Sequence, residues 1–288
     1  MNTLRTFLDT RESLLRFLSE DIGNGDLTSN CLIPADLNSR AEIISKTKKS
    51  AVVCGLEEAR LVFDLCDCNT KTLVFDGSLV HKGTVVMAIE GKARSILKAE
   101  RTALNLIMRM SGIASETRYI KNAIADFADS VIIAGTRKTA PGLRVFDKKA
   151  VITGGGTSHR IRLDDMIIIK DNHLTITGSL TESIRFAKKN AGSSILIECE
   201  CKDFREVIEA IKAGADIIML DNFSPAAAAK TIRKLCKMGL REKIKLEVSG
   251  GITMHNIKEY AKEQPDIISV GYLTHSSKAV DFSLEIID

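Results

Sequence analysis

Six short runs of β-branched and aliphatic residues along the second half of the chain constrain its fold more than any other feature. They are VIIAGT (131–136), MIIIK (166–170), ILIECEC (195–201), DIIMLD (216–221), IKLEVSG (244–250) and DIISVG (266–271). Runs this short that are apolar throughout suit strands buried on both faces of a parallel sheet. Helix signals lie between them. In DFREVIEAIKAG, Phe204, Val207, Ile208 and Ile211 line one face, with Gly214 placed to end the helix. Ser224 and Pro225 read as N-cap and first-turn proline of a helix that stops at Gly239, and Thr253 as a cap for the segment carrying Met254, Ile257 and Tyr260. Strand and helix in alternation imply βα units.

Each run ends in a polar or glycine signal: Thr136-Arg137-Lys138, Lys170, Glu198 with Glu200, Asp221, Ser249-Gly250-Gly251, and Ser269 with Gly271. Ionisable groups gathered from the C-terminal ends of many strands mark a barrel-type active site, whereas an open sheet concentrates its ligand contacts near one switch point. The expected fold is therefore α/β, an incomplete barrel of six to seven strands. Parity adds detail. Glu198 and Glu200 share one strand face while Cys199 and Cys201 share the other, and Glu247 and Ser249 repeat the pattern. Acids facing the interior put the cysteines against the helices.

The first half reads as an α+β sandwich domain. RAEIISKTKKSAVVCG (40–55), KTLVFDG and GTVVMAIEG alternate as mostly antiparallel strands, with one helix from Leu56 to about Cys66 and another from Ala93 to about Met110. Leu4, Phe7, Leu8, Leu15 and Leu18 give an amphipathic first helix rather than a secretory signal. The final VDFSLEII alternates as a strand with no place in the barrel order, so it is expected to return to the first domain. At 288 residues two domains are expected: residues 1–110 joined by 274–288, and residues 111–273.

Composition is that of a globular protein, and no apolar run approaches the length that spans a bilayer. Seven scattered cysteines fit a reducing cytoplasm better than a disulfide framework. Neither Cys66 with Cys68 nor Cys199 with Cys201 has metal-ligand spacing. The net charge of +4 is too small to argue for nucleic acid by itself. It is unevenly distributed, however: residues 136–170 hold eight bases against three acids. A local basic block in a near-neutral chain points to an anionic ligand held at one place.

Four clusters carry the chemistry: ERTALNLIMRMSGIAS (100–115) with Arg101 near a glycine break, TRKTAPGLR (136–144), GGGTSHR (154–160) and IKDNH (169–173). Each alone has an ordinary structural reading. A glycine triplet is a turn, Arg101, Arg144 and Lys149 are solvated side chains, His159 is a hydrogen-bonded structural residue, and Glu198 is an internal ion-pair partner. Their coincidence at strand ends favours a charged ligand, because burying so many charges is costly unless they pair or meet one.

These segments, together with EDIGNGDLT (20–28), LDDMIIIKDNH, IECEC, IIMLDN, LEVSGGI and IISVGYLTHS, resemble the quinolinate phosphoribosyltransferase family in its own order over nearly the whole chain. The resemblance implies an N-terminal α/β sandwich domain plus an incomplete α/β barrel. It also implies transfer of phosphoribose from phosphoribosyl pyrophosphate (PRPP) to quinolinate with decarboxylation, in de novo NAD synthesis, with Mg2+. It assigns quinolinate binding to Arg101, Arg137, His159, Arg160 and Lys170, with Arg101 acting across a dimer. Lys138 and Lys170 fall near the phosphates, Glu200 and Asp221 near the ribose and its metal, and Ser249, Gly250, Gly251 and Gly271 in the loops holding the 5′-phosphate. Lys138, Lys170, Glu200 and Asp221 are the implied catalytic residues. A cytoplasmic homodimer with shared sites, or a hexamer of dimers, is the implied assembly. Ser115 and Lys149 depart from the family's usual threonine and aromatic. The competing readings are a molybdenum-associated paralogue with another acceptor, a Schiff-base lyase using Lys170, and a nucleic-acid module using the basic block.

Overall fold

The computed structural model describes residues 2–127, 130–192 and 194–287, with side chains of the first helix described from Thr10 on. The side chains of Leu4, Phe7 and Leu8 lie outside the described residues. By internal contacts the chain forms two compact units. The first comprises residues up to Arg118, Pro141–Gly154 and the segment from Ser277 on; the second is Tyr119–Ala140 with Gly155–Ser276.

In the first unit the elements are α1 (Asn2–Ile22), α2 (Leu27–Leu32), β1 (Asn38–Ser45), β2 (Ala51–Val52), α3 (Leu56–Asp64), β3 (Asn69–Thr72), β4 (Leu79–Val80) and β5 (Val85–Lys92). Helix α4 (Ala93–Ala123) begins in this unit and continues into the second. The chain then forms β6 (Ile132–Gly135), α5 (Arg144–Thr153), β7 (Ile167–Ile169), α6 (Asp171–Thr177), α7 (Leu180–Asn190), β8 (Ile197–Cys201), α8 (Phe204–Ala213), β9 (Ile217–Asp221) and α9 (Pro225–Lys237). It ends with β10 (Lys245–Ser249), α10 (Ile257–Ala261), β11 (Ile267–Val270), α11 (Tyr272–His275) and β12 (Phe282–Ile287).

The first unit carries a four-stranded sheet of order β12-β1-β5-β3, antiparallel throughout. The C-terminal strand does return to it, with Ile43 opposite Leu284. Ile43, Met87 and Ile89 are buried in this unit, as are Phe63 of α3 and Ile96, Leu104, Ile107 and Met110 of α4. Helix α4 also satisfies strand backbone: Ser115 Oγ accepts from Val52 N at 2.8 Å and Ser111 Oγ from Cys54 N at 2.9 Å. Ser115 is thus a hydrogen-bonding position that a threonine hydroxyl would also serve.

Two expectations are corrected here. Helix α4 does not end near Met110 but runs to Ala123, through Gly112. A Cβ on Gly112 would lie 2.2 Å from the Lys278 carbonyl oxygen, so this glycine permits close approach of another backbone rather than breaking the helix. Helix α5 falls in the first unit rather than with the barrel. It is tied there by Asp147 to Arg109, and by Lys149, whose Nζ sits 2.8 Å from Glu58 and 3.3 Å from Asp76. Lys149 is therefore an ion-pair partner and not a merely solvated side chain.

In the second unit all six expected strands form, in one parallel sheet of order β6-β11-β10-β9-β8-β7. From β7 to β11 every strand lies beside its successor, and β6 lies beside the last. That is the order of a ring cut once; a doubly wound sheet would reverse direction at a switch point. At the cut, Thr157 makes an isolated parallel bridge to Ala134. The helix signals act as read. Ser224 Oγ accepts from Ala227 N with Pro225 in the first turn, and Gly214 ends α8 at φ +91°. Thr253 does not cap α10, whose N-cap is Asn256. Cys199 and Cys201 are buried thiols, and burial pushes Cys68 up to about 11, which makes it a poor thiolate ligand. Among the described residues no helix is long and apolar enough to cross a membrane.

Candidate active site

The C-terminal ends of the six parallel strands surround a cavity of about 470 Å³. Its walls come from loops that leave buried strands, so side chains far apart in sequence converge. Thr136, Arg137 and Lys138 follow β6, Lys170 follows β7, Glu200 projects from β8 and Asp221 from β9. Glu247 and Ser249 come from β10 with Gly250 and Gly251 beyond, and Ser269 comes from β11. His159 and Arg160 enter from the loop before β7, and Ile168 and Met219 give it apolar surface.

The electrostatics are mixed and partly incomplete. Lys170 Nζ is ion-paired with Glu200. Arg160 is almost fully buried and donates to the Met166 carbonyl at 3.1 Å, while desolvation and neighbouring Arg137 lower its pKa. The Nε of Arg137 is buried with no hydrogen-bond partner. An orphan donor on a guanidinium, beside a second guanidinium and two lysines, is a receptor for an anion with more than one oxygen.

Behind this cationic wall lies an acidic floor. Glu198 and Glu247 are fully buried, and His159 Nε2 lies 2.9 Å from Glu247 Oε2 and 3.5 Å from Glu198 Oε2. Burial pushes the Glu198 carboxyl up to about 9, with Glu247 and Glu200 adding to the shift. The His159 backbone sits at φ +50°, in the left-handed region, at a local backbone cost.

Gly250 shows why glycine borders this site. Its φ is +95°, and a Cβ there would lie 2.3 Å from Asn222 Oδ1. Asn222 itself is left-handed at φ +56° and donates from Nδ2 to Asp221 Oδ2 at 2.8 Å. Asn222 thus orients a cavity carboxylate, and the Leu-Asp-Asn strand end was its one signal in the sequence.

Of the residues read from sequence, Arg137, Lys138, His159, Arg160, Lys170, Glu200, Asp221, Ser249, Gly250 and Gly251 all line the cavity. Gly271 adjoins them, since a Cβ on it would meet Lys138 and Thr136 at 3.3 and 3.4 Å. Arg101 is not among the lining residues; it lies exposed on α4 in the first unit, 4.0 Å from Glu100. The basic block is also divided. Arg144, Lys148 and Lys149 belong to α5, Arg137, Lys138, Arg160 and Lys170 line the cavity, and Arg162 belongs to neither group.

Residues 26–111 match the N-terminal domain and residues 113–285 the C-terminal domain of quinolinate phosphoribosyl transferase. The chain belongs to the quinolinate phosphoribosyltransferase family. It is 42% identical to a probable nicotinate-nucleotide pyrophosphorylase [carboxylating] of Methanocaldococcus jannaschii, over 95% of this chain and 96% of that protein. A Bacillus subtilis protein of the same name is 40% identical, over 97% and 94%. The solved structure of nicotinate-nucleotide pyrophosphorylase from Ehrlichia chaffeensis superposes with a TM-score of 0.89 at 34% identity, covering 96% of this chain and 98% of that one. Family membership accounts for the two-domain build and for the cut ring of parallel strands.

Proposed function

We propose that the chain transfers the phosphoribosyl group of PRPP to the ring nitrogen of quinolinate and that the adduct loses carbon dioxide. The products are nicotinate mononucleotide, pyrophosphate and CO2, as in de novo NAD synthesis. The observation that carries this reading is the convergence of Arg137, Arg160, Lys138 and Lys170 on a cavity that also holds Glu200 and Asp221.

Quinolinate is a dicarboxylate, and guanidinium forks pair with carboxylates through charge-assisted hydrogen bonds. Arg137, with its orphan Nε, and Arg160 take that role with His159 and Lys170. The ring nitrogen attacks C1′ of the ribose as the C1′–O bond to pyrophosphate breaks. The sugar passes through an oxocarbenium-like state that Glu200 and Asp221 stabilise electrostatically. Lys138 offsets charge on the departing pyrophosphate. Ser249, Gly250, Gly251 and Gly271 let backbone N–H groups approach the 5′-phosphate. The quaternised nitrogen then accepts the charge left on C2 as the C2–carboxylate bond breaks, and a proton from solvent completes the product.

Glu200 and Asp221 offer hard oxygen donors on one cavity wall, a donor set that suits Mg2+ carried with the phosphates. Bound there, Mg2+ would supply charge neutralisation to the leaving pyrophosphate. A Schiff-base reading is disfavoured because the Lys170 Nζ is engaged by Glu200. The exposed Arg101 guanidinium suits a homodimer in which it reaches the partner's site, alone or as part of a hexamer of dimers. The buried free thiols accord with a cytoplasmic setting.

The test is incubation with PRPP, Mg2+ and either quinolinate or nicotinate. Nicotinate mononucleotide should form from quinolinate alone. Equal turnover of nicotinate, or no product from quinolinate, would overturn the reading.

A further inference from the structure

Arg137 and Lys138 are consecutive, yet both line the cavity. Extended backbone would send neighbouring side chains to opposite sides. A tight turn just after β6 removes the conflict. Thr139 N donates to the Arg137 carbonyl at 2.8 Å, a three-residue turn centred on Lys138. Both main-chain groups of Lys138 meet threonine hydroxyls. Its N–H donates to Thr136 Oγ1 at 3.2 Å, and its carbonyl accepts from Thr274 Oγ1 at 2.9 Å.

Thr274 comes from α11, 136 positions away along the chain and within the same compact unit. Its side chain is buried and lies outside the cavity lining. No titration enters this contact: a carbonyl oxygen only accepts, so the hydroxyl donates. Thr274 Oγ1 also lies 3.2 Å from the Gly271 carbonyl, a contact a threonine makes within its own turn. One hydroxyl carries one proton, and the shorter contact goes to Lys138. The lysine stem is seated on the same turn. A Cβ on Gly271 would crowd Lys138 Cδ at 3.3 Å and Thr136 Oγ1 at 3.4 Å, so glycine leaves room for stem and hydroxyl together.

We propose that Thr274 is the positioning residue for the Arg137–Lys138 turn, its hydroxyl holding Lys138 toward the pyrophosphate while Arg137 faces the dicarboxylate. This rests on the reading of PRPP and quinolinate as the substrates. Thr274 touches neither of them and acts through the Lys138 backbone. In Thr274→Val a methyl takes the place of the hydroxyl at nearly the same volume. A carbon stands about 3.3–3.6 Å from a carbonyl oxygen, so the Lys138 carbonyl retreats by about half an ångström and loses its donor. Shifts on that scale are felt, since a misplacement of about 1 Å costs about 100-fold in rate.

The experiment compares wild type with Thr274→Val, Thr274→Ser, Lys138→Met and the double variant Thr274→Val with Lys138→Met, each checked for folding by thermal melting. Thr274→Ala, which drops the hydroxyl without adding bulk, replaces Thr274→Val if the latter does not fold. Crystal structures of wild type and the hydroxyl-free variant locate the turn. Steady-state assays vary PRPP and quinolinate with Mg2+, and calorimetry measures binding of inorganic pyrophosphate with Mg2+. Loss of one hydrogen bond predicts that Thr274→Val lowers kcat and weakens pyrophosphate binding, each by about tenfold. Thr274→Ser keeps the donor and stays within about threefold of wild type on both. In the Lys138→Met background, adding Thr274→Val changes pyrophosphate binding by less than about twofold, because the group being positioned is gone.

A threonine that only supported stability would cost the same factor in both backgrounds, and such additive losses would overturn the proposal. So would equal damage from Thr274→Ser and Thr274→Val, or a Thr274→Val structure in which the turn has not moved. Unchanged kcat and pyrophosphate binding in folded Thr274→Val would overturn it as well. If wild type does not consume quinolinate, the functional reading fails, and the crystal structures still decide whether Thr274 holds the turn.

Discussion

Arg109 on α4 holds Asp147 on α5 through two parallel hydrogen bonds, Nε to Oδ1 at 2.7 Å and Nη2 to Oδ2 at 2.8 Å. Asp147 is fully buried, and burial pushes its carboxyl up even as Arg109 draws it down. Removing only the guanidinium would strand a carboxylate in the core. Arg109→Met should therefore destabilise the chain by about 3 kcal/mol, and Arg109→Met with Asp147→Leu should recover most of it. Urea unfolding with an unchanged slope would show this as a lower midpoint for the single variant only. An unshifted midpoint for Arg109→Met would contradict the account.

Glu198 gives stability a pH dependence of known sign. Its carboxyl is raised in the folded state from an ordinary 4.5 to about 9. The folded protein therefore holds a proton that the unfolded chain has released across that window. The contribution is full below about 4.5 and is lost as pH rises toward about 9. Wild-type urea midpoints should fall from about pH 5 to about pH 9, and Glu198→Gln should flatten that fall. A Glu198→Gln protein with the wild-type slope would show that another group is responsible.

How much of this was legible follows from where each signal is stored. The six strands were legible because a strand buried on both faces must be apolar throughout, and VIIAGT or DIIMLD admits few other readings. Period two put Glu198 and Glu200 on one face of their strand and Cys199 and Cys201 on the other, with Glu247 and Ser249 paired in the same way. What failed depended on distant partners. Gly112 looks like a helix break until the Lys278 carbonyl is seen beside it. Lys149 looks solvated until Glu58, 91 positions away, is found against it. The cut in the ring and the orphan Nε of Arg137 likewise exist only in three dimensions.

Arg137 is the residue on which the two substrates should separate. In the proposed role of carboxylate clamp it would touch quinolinate and not the sugar phosphate, so Arg137→Ala should raise the KM for quinolinate by about 10- to 100-fold, the worth of a charged hydrogen-bonded contact. The KM for PRPP should move far less. Steady-state kinetics in both substrates checks this, and equal losses for the two would refute the division of labour.

Arg101 tests the proposed sharing of sites between subunits. Arg101→Ala and Lys170→Ala should each be inactive alone. When mixed and allowed to exchange, they should regain partial activity, because one site of a mixed dimer receives both wild-type groups. Verified mixed dimers with no activity would place Arg101 in the service of its own subunit.

In the proposed function the strand tips of the second unit hold a dicarboxylate against PRPP so that decarboxylation follows transfer. Quinolinate labelled with 13C in its 2-carboxyl group reads both steps at once. Labelled CO2 should appear only when PRPP and Mg2+ are both present, and in step with pyrophosphate. Label retained in the nucleotide product, or released without PRPP, would contradict it.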